Sequence, residues 1–185
     1  MTMHARLLFL IPYIALAACG SEIVQAHMYR SGVIESFRYA ARDGDVHVVI
    51  LNNPFAADRA TVEGSITGAM TGHNAAQVQR FVPVPEGAAP PPSRIVMLFN
   101  PPVSMTGIDL CEGSRADGAR TAGDRLRLLA SFCLGNQAQS QAIASTPALA
   151  SPADLRFKAL IQQTMLNLIP IQEPCASNNC EFNDD

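Results

Sequence analysis

Val46-His47-Val48-Val49-Ile50-Leu51, closed by Asn52-Asn53-Pro54, is the run from which the architecture can be worked out. Its nearly continuous β-branched composition predicts a strand buried on both faces, and hence a central place in a sheet. Ile95-Val96-Met97-Leu98-Phe99 repeats the pattern and also ends in Asn-Pro, at Asn100-Pro101. Between the two, residues 57–71 carry Val62, Ile66, Ala69 and Met70 at helical spacing, which makes one apolar stripe. A strand, a helix and a strand in that order predict a right-handed crossover with the two strands parallel. Both Asn-Pro turns then fall at one end of the sheet, where open α/β sheets tend to bind ligands. Asn53, Asn100 and the loop around Cys111 are the candidate lining of that edge. The simpler reading is that Asn-Pro is a good strand terminator.

Outward from this unit, Val33 to Ala41 reads as a strand with Phe37 and Tyr39 on one face, and Asp43-Gly44 offers hairpin chemistry. Leu126–Cys133 and Gln137–Ser145 read as a second hairpin around Gly135-Asn136. The last helix opens at Ser151-Pro152, with Asp154 complementing its dipole. Phe157, Leu160, Ile161, Met165 and Leu168 form its apolar face, and Pro170 stops it. The expected order is β-β-α-β-β-β-α, an α+β fold with a mixed sheet of about five strands covered by two helices. Phe81 to Pro92 is proline-rich and reads as a semi-rigid connector or a ligand for a partner's groove. Residues 103–124 read as a long loop. Gly64 and Gly68, spaced four apart on the first helix, suggest either close approach by another element or an exposed side, and they are candidate partner-contact residues.

The amino-terminal stretch has a different character. Arg6 precedes an apolar segment from Leu7 to Ala18, and small residues lead to Cys19. Twelve residues rise only about 18 Å as a helix, short of the roughly 30 Å hydrocarbon core, so a secretory signal is the better reading. Leu16-Ala17-Ala18-Cys19 resembles the lipobox of bacterial lipoproteins. The resemblance implies cleavage before Cys19, acylation of that residue and, because Gly20 and not Asp follows, delivery to the outer membrane facing the periplasm. Asn53-Pro54-Phe55, Phe99-Asn100-Pro101 and Ser131-Phe132-Cys133-Leu134-Gly135-Asn136 give the body a loose likeness to small proteobacterial lipoproteins without assigned activity. The expected layout is a signal peptide at 1–18, a lipidated tether at 19–32, one α+β domain at 33–170 and an acidic tail with a cysteine pair at 171–185.

Removal of residues 1–18 takes Arg6 and leaves 167 residues at net charge −4 in place of −3. Mild acidity without a Lys/Arg cluster argues against nucleic acid. With Cys19 committed to lipid, Cys111, Cys133, Cys175 and Cys180 remain, an even number in an oxidising compartment. Of the three possible pairings, Cys111–Cys133 with Cys175–Cys180 is preferred. A zinc site is the alternative, but the spacing lacks paired C-x-x-C ligands, so no metal or other cofactor is expected. His47 and His73 stand alone, and the chain has no nucleophile elbow, HExxH pair or P-loop. The functional expectation is a non-catalytic accessory protein, anchored to the membrane by lipid, that contacts an envelope protein or component. The alternatives are a small-ligand binder at the Asn-Pro edge and a hydrolase without a recognised motif.

Overall fold

A computed structural model describes residues 23–74, 76, 78, 80–113 and 123–172. The described residues form ten elements: β1 (Ile23–Tyr29), α1 (Val33–Ala40), β2 (Asp45–Leu51), α2 (Arg59–Met70), β3 (Arg80–Pro83), β4 (Ser93–Phe99), α3 (Gly107–Cys111), β5 (Arg125–Leu134), β6 (Gln137–Pro147) and α4 (Leu155–Leu168). Six strands form one mixed sheet in the order β1-β6-β5-β4-β2-β3. β2 is parallel to both β3 and β4, and the other pairs are antiparallel. The α+β class and the mixed sheet agree with the sequence reading, with six strands in place of about five. At one end of the sheet lie the starts of β1 and β5 and the ends of β2, β3, β4 and β6; this is called the leading end below.

The sheet's two faces are built differently. On the first, Val46, Val48 and Ile50 of β2, Ile95, Met97 and Phe99 of β4, and Leu128, Ala130 and Phe132 of β5 meet α1, α2 and α4 in one large core. Phe157 of α4 packs edge-on to Phe55 at 4.9 Å and beside Phe99 at 5.9 Å, and Phe37 of α1 meets Phe132 edge-on at 5.3 Å. The second face buries a smaller set around Val96, Leu98, Leu129 and Leu110, beneath the short α3.

Four local expectations are corrected. Val33–Ala40 is a helix, because Val33, Ile34 and Phe37 bury one helical side while Tyr39 is 65% exposed. Gly32, at a left-handed φ of 76°, turns the chain into it. Residues 23–29, placed in the tether, form an edge strand on β6; an irregularity between Ala26 and Met28 shifts the side-chain phase and hides the period-2 pattern. Arg80–Pro83 is also an edge strand, a position that tolerates proline. Within the supposed loop 103–124, Gly107–Cys111 is helical behind a capping box made by Thr106 and Asp109.

Two finer points also differ. β2 alternates half-buried and buried residues, so only one of its faces is fully covered. The central positions go to β4 and β5, whose residues are buried almost without interruption. The cap of α4 is Asp154 and not Ser151: its carboxylate accepts from the Arg156 N–H at 2.9 Å.

Candidate functional site

The leading end gathers the two Asn-Pro turns, because β2 and β4 are parallel and in register from His47–Arg94 to Leu51–Leu98. Asn52 and Asn100 both take left-handed backbone, at φ of 58° and 51°, which asparagine tolerates better than most residues. Their side chains stitch neighbouring strands. The Asn52 Nδ2 donates to the Phe99 carbonyl at 2.8 Å, and the Asn100 Oδ1 accepts from the Arg127 N–H at 3.1 Å. Asn53 closes its own loop, accepting from the Phe55 N–H and donating to the Ala57 carbonyl, each at 2.9 Å. Asn100 is only 5% exposed. Asn53 and Asn100 therefore each have a structural duty. Asn52, which the sequence reading passed over, joins the two turns.

Beside Asn52 lies a cleft of about 210 Å³ between β2 and residues 84–90. Val49, Leu51, Pro85 and Pro90 supply apolar walls, and Arg59 and Glu86 are its charged groups. Arg59 is held by Glu63 at 2.6 Å, by Glu86 at 3.1 Å and by the Ile50 carbonyl at 3.3 Å. The cleft thus presents an already paired guanidinium above an apolar floor. The proline-rich connector forms its rim as it passes from β3 to β4.

Gly64 and Gly68 are exposed on α2, and a methyl group at either would meet no atom within 4 Å. No described element approaches them, so the close-approach explanation fails within the described residues. That side of α2 is open surface. Asp58 caps the helix through Thr61, and these hydrogen bonds hold its carboxyl below the usual carboxylate range.

The second face carries the fold's most constrained polar cluster. Cys111, at the end of α3, forms a disulfide with Cys133 of β5, with Cα atoms 5.5 Å apart. Cys19, Cys175 and Cys180 lie outside the described residues. Arg94, 6% exposed, donates to the carbonyls of Cys111 at 2.7 Å, Gly135 at 3.0 Å and Pro91 at 3.2 Å. Burial pulls its pKa down from the ordinary arginine value. One buried cation thus ties α3, the β5–β6 hairpin and the proline-rich crossing together without a carboxylate partner among the described residues. Gly107 lies against Gln141 and Ser131: its N–H donates to the Gln141 Oε1, and a methyl there would sit 2.8 Å from that oxygen and from the Ser131 Oγ. Arg94 and Gly107 were not legible in the sequence, where each looks like an ordinary surface or loop residue.

The histidines remain apart. His47 is half-buried on β2, and the His73 Nδ1 lies 2.8 Å from the Thr71 carbonyl. Among the described residues no three His, Cys, Asp or Glu side chains gather in a way that could hold a metal ion. No described helix is long and apolar enough to cross a membrane.

No protein-family model matches the chain, and no curated protein matches its sequence. Among solved structures, it is similar to the dodecamer of a PelC point variant from Paraburkholderia phytofirmans, at 12% identity and a TM-score of 0.45, over 82% of this chain and all of that one. At that level no property of one follows for the other.

Proposed function

We propose that the chain is a lipid-anchored accessory protein of the bacterial cell envelope, non-catalytic, held at Cys19 and in contact with a partner protein or envelope component. The observation that carries this reading is the Cys111–Cys133 disulfide buried under α3. Such a bond persists in an oxidising compartment and is rare in the cytosol of mesophiles, which agrees with a secretory start ending in Leu16-Ala17-Ala18-Cys19. Glycine in place of aspartate after the cysteine supports the outer membrane as the destination. The open side of α2 around Gly64 and Gly68 is the proposed partner surface, because it offers backbone without side-chain cover. In-cell crosslinking of the tagged, acylated protein tests this: one partner is expected in near-equal amount, and Gly68→Leu is expected to abolish its recovery while leaving the protein folded, with a thermal unfolding temperature no lower than that of the wild type. Unaltered recovery from that variant removes the α2 surface, and recovery of the protein alone removes the accessory role.

The cleft beside Asn52 favours a second reading, a small-ligand binder with a polar part at the Arg59–Glu86 pair and an apolar part over Val49 and Leu51. A thermal-shift screen with envelope metabolites, sugars and nucleotides that moves the wild type but not Arg59→Ala would support it; no shift with any of them would sink it.

A further inference from the structure

Residues 20–22 are all that separate Cys19 from the start of β1. Four residue steps of extended chain span at most about 14 Å, so an acylated Cys19 would bring the leading end of the sheet to the bilayer surface. This shortening comes from the fold, since the sequence reading placed the whole of 20–32 in the tether. The leading end has matching chemistry. Arg125 and Arg127 of β5 lie two apart on one face, and the row Arg127–Ser145–Ile23 runs straight across β5, β6 and β1 to the residue nearest the anchor. Among the described residues Arg125 bonds only to Ser145, with its side-chain oxygen at 2.9 Å, and the Arg127 guanidinium has no partner. Two exposed large apolar side chains belong to the same end: Val103, 73% exposed in the loop leaving β4, and Leu155, 79% exposed where α4 begins. The described acids there have their own duties or none. Asp58 and Asp154 cap helices, Glu86 pairs with Arg59, and Asp124 is exposed beside Arg125.

We infer that the leading end of the sheet is the membrane-facing surface, with Arg125 and Arg127 taking the phosphates of anionic lipid headgroups and Val103 and Leu155 entering the interface. The inference rests on the lipid-anchor reading. Contacts this few would not hold a free domain on a membrane. On a chain already anchored they act at high effective concentration and set orientation. Guanidinium–phosphate pairing is bidentate and charge-assisted, which suits arginine better than lysine.

The protein has no tryptophan, so single-tryptophan variants report depth cleanly. The acylated protein is placed in vesicles of phosphatidylethanolamine and phosphatidylglycerol carrying brominated chains. Val103→Trp is expected to lose much of its emission, and Tyr39→Trp, at the opposite end and 65% exposed, is expected to keep it. Changing both arginines to glutamine is expected to reduce the Val103→Trp quenching to the level found in phosphatidylcholine vesicles; an unchanged signal overturns the role of the arginines. Equal or stronger quenching of Tyr39→Trp in an acylated protein overturns the orientation while leaving the anchor intact. A chain found by mass spectrometry to carry no lipid on Cys19 overturns both.

Discussion

The two faces of the sheet solve the same problem with different means. The first face buries three helices against aromatic and aliphatic side chains, and Phe37, Phe99, Phe132 and Phe157 are all fully covered. The second has one described helix of five residues, too short to be stable by its own hydrogen bonds. It is held by a disulfide, a buried arginine bonded to carbonyls and one glycine contact. Where apolar mass is plentiful, packing alone suffices; where it is scarce, covalent and polar links replace it. The second face should therefore be the redox-sensitive and locally unfoldable part of the molecule.

The packed face should give the largest effect. Phe157→Ala removes a fully buried ring from between Phe55 and Phe99 and is expected to destabilise by about 3–5 kcal/mol in urea unfolding. A loss below about 1 kcal/mol would show that this face does not carry the fold. On the opposite face, Cys111→Ala with Cys133→Ala opens a bridge between residues 22 apart and is expected to cost about 3 kcal/mol. Hydrogen exchange should then accelerate in α3 and leave α2 and α4 protected; uniform acceleration would mean the faces are one cooperative unit.

Two glycines probe the same contrast on a smaller scale. Gly107→Ala pushes a methyl against Ser131 and Gln141 and is expected to destabilise by about 1–3 kcal/mol. Gly68→Ala, in open space within a helix, is expected to stabilise by up to about 1 kcal/mol. Opposite signs in thermal unfolding would support the two environments; equal signs would not.

The smallest effect is a pH dependence shared by both faces. Hydrogen bonds to Thr61, Thr106 and Arg156 hold the carboxyls of Asp58, Asp109 and Asp154 below their usual range. A lowered folded pKa means that the unfolded chain binds more protons in this window. The caps' contribution is therefore complete above the ordinary carboxylate value, about 4, and is lost as pH falls through the lowered values. Asp109→Asn is expected to remove the share of this acid sensitivity that belongs to α3. An acid limb identical to wild type would show that this cap contributes nothing to it.

What could be read in advance follows the same division. β2, β4, the β5–β6 hairpin, α2 and α4 have long apolar runs or clear helical stripes, and they stand where the sequence placed them. α1 is not legible as a helix because, over only eight residues, Phe37 and Tyr39 mimic strand alternation, whereas Val33, Ile34 and Phe37 make the buried stripe. The bulge in β1 and the prolines in and after β3 disguised both edge strands. At the candidate site, the Asn-Pro turns were legible as strand ends at one edge. The inward duties of Asn53 and Asn100 were not, because they depend on partners contributed by neighbouring loops and strands. Arg94 was out of reach for a related reason: nothing in its neighbours along the chain signals that carbonyls from three separate segments will converge on it.

The proposed function stands or falls with the acylation of Cys19, and the mass of the amino-terminal peptide of the membrane-extracted protein tests it directly. The expected peptide begins at Cys19 and carries diacylglycerol and an amide-linked acyl chain, with both lost in Cys19→Ser. A chain still beginning at Met1, or a Cys19→Ser protein that still carries lipid, would contradict it.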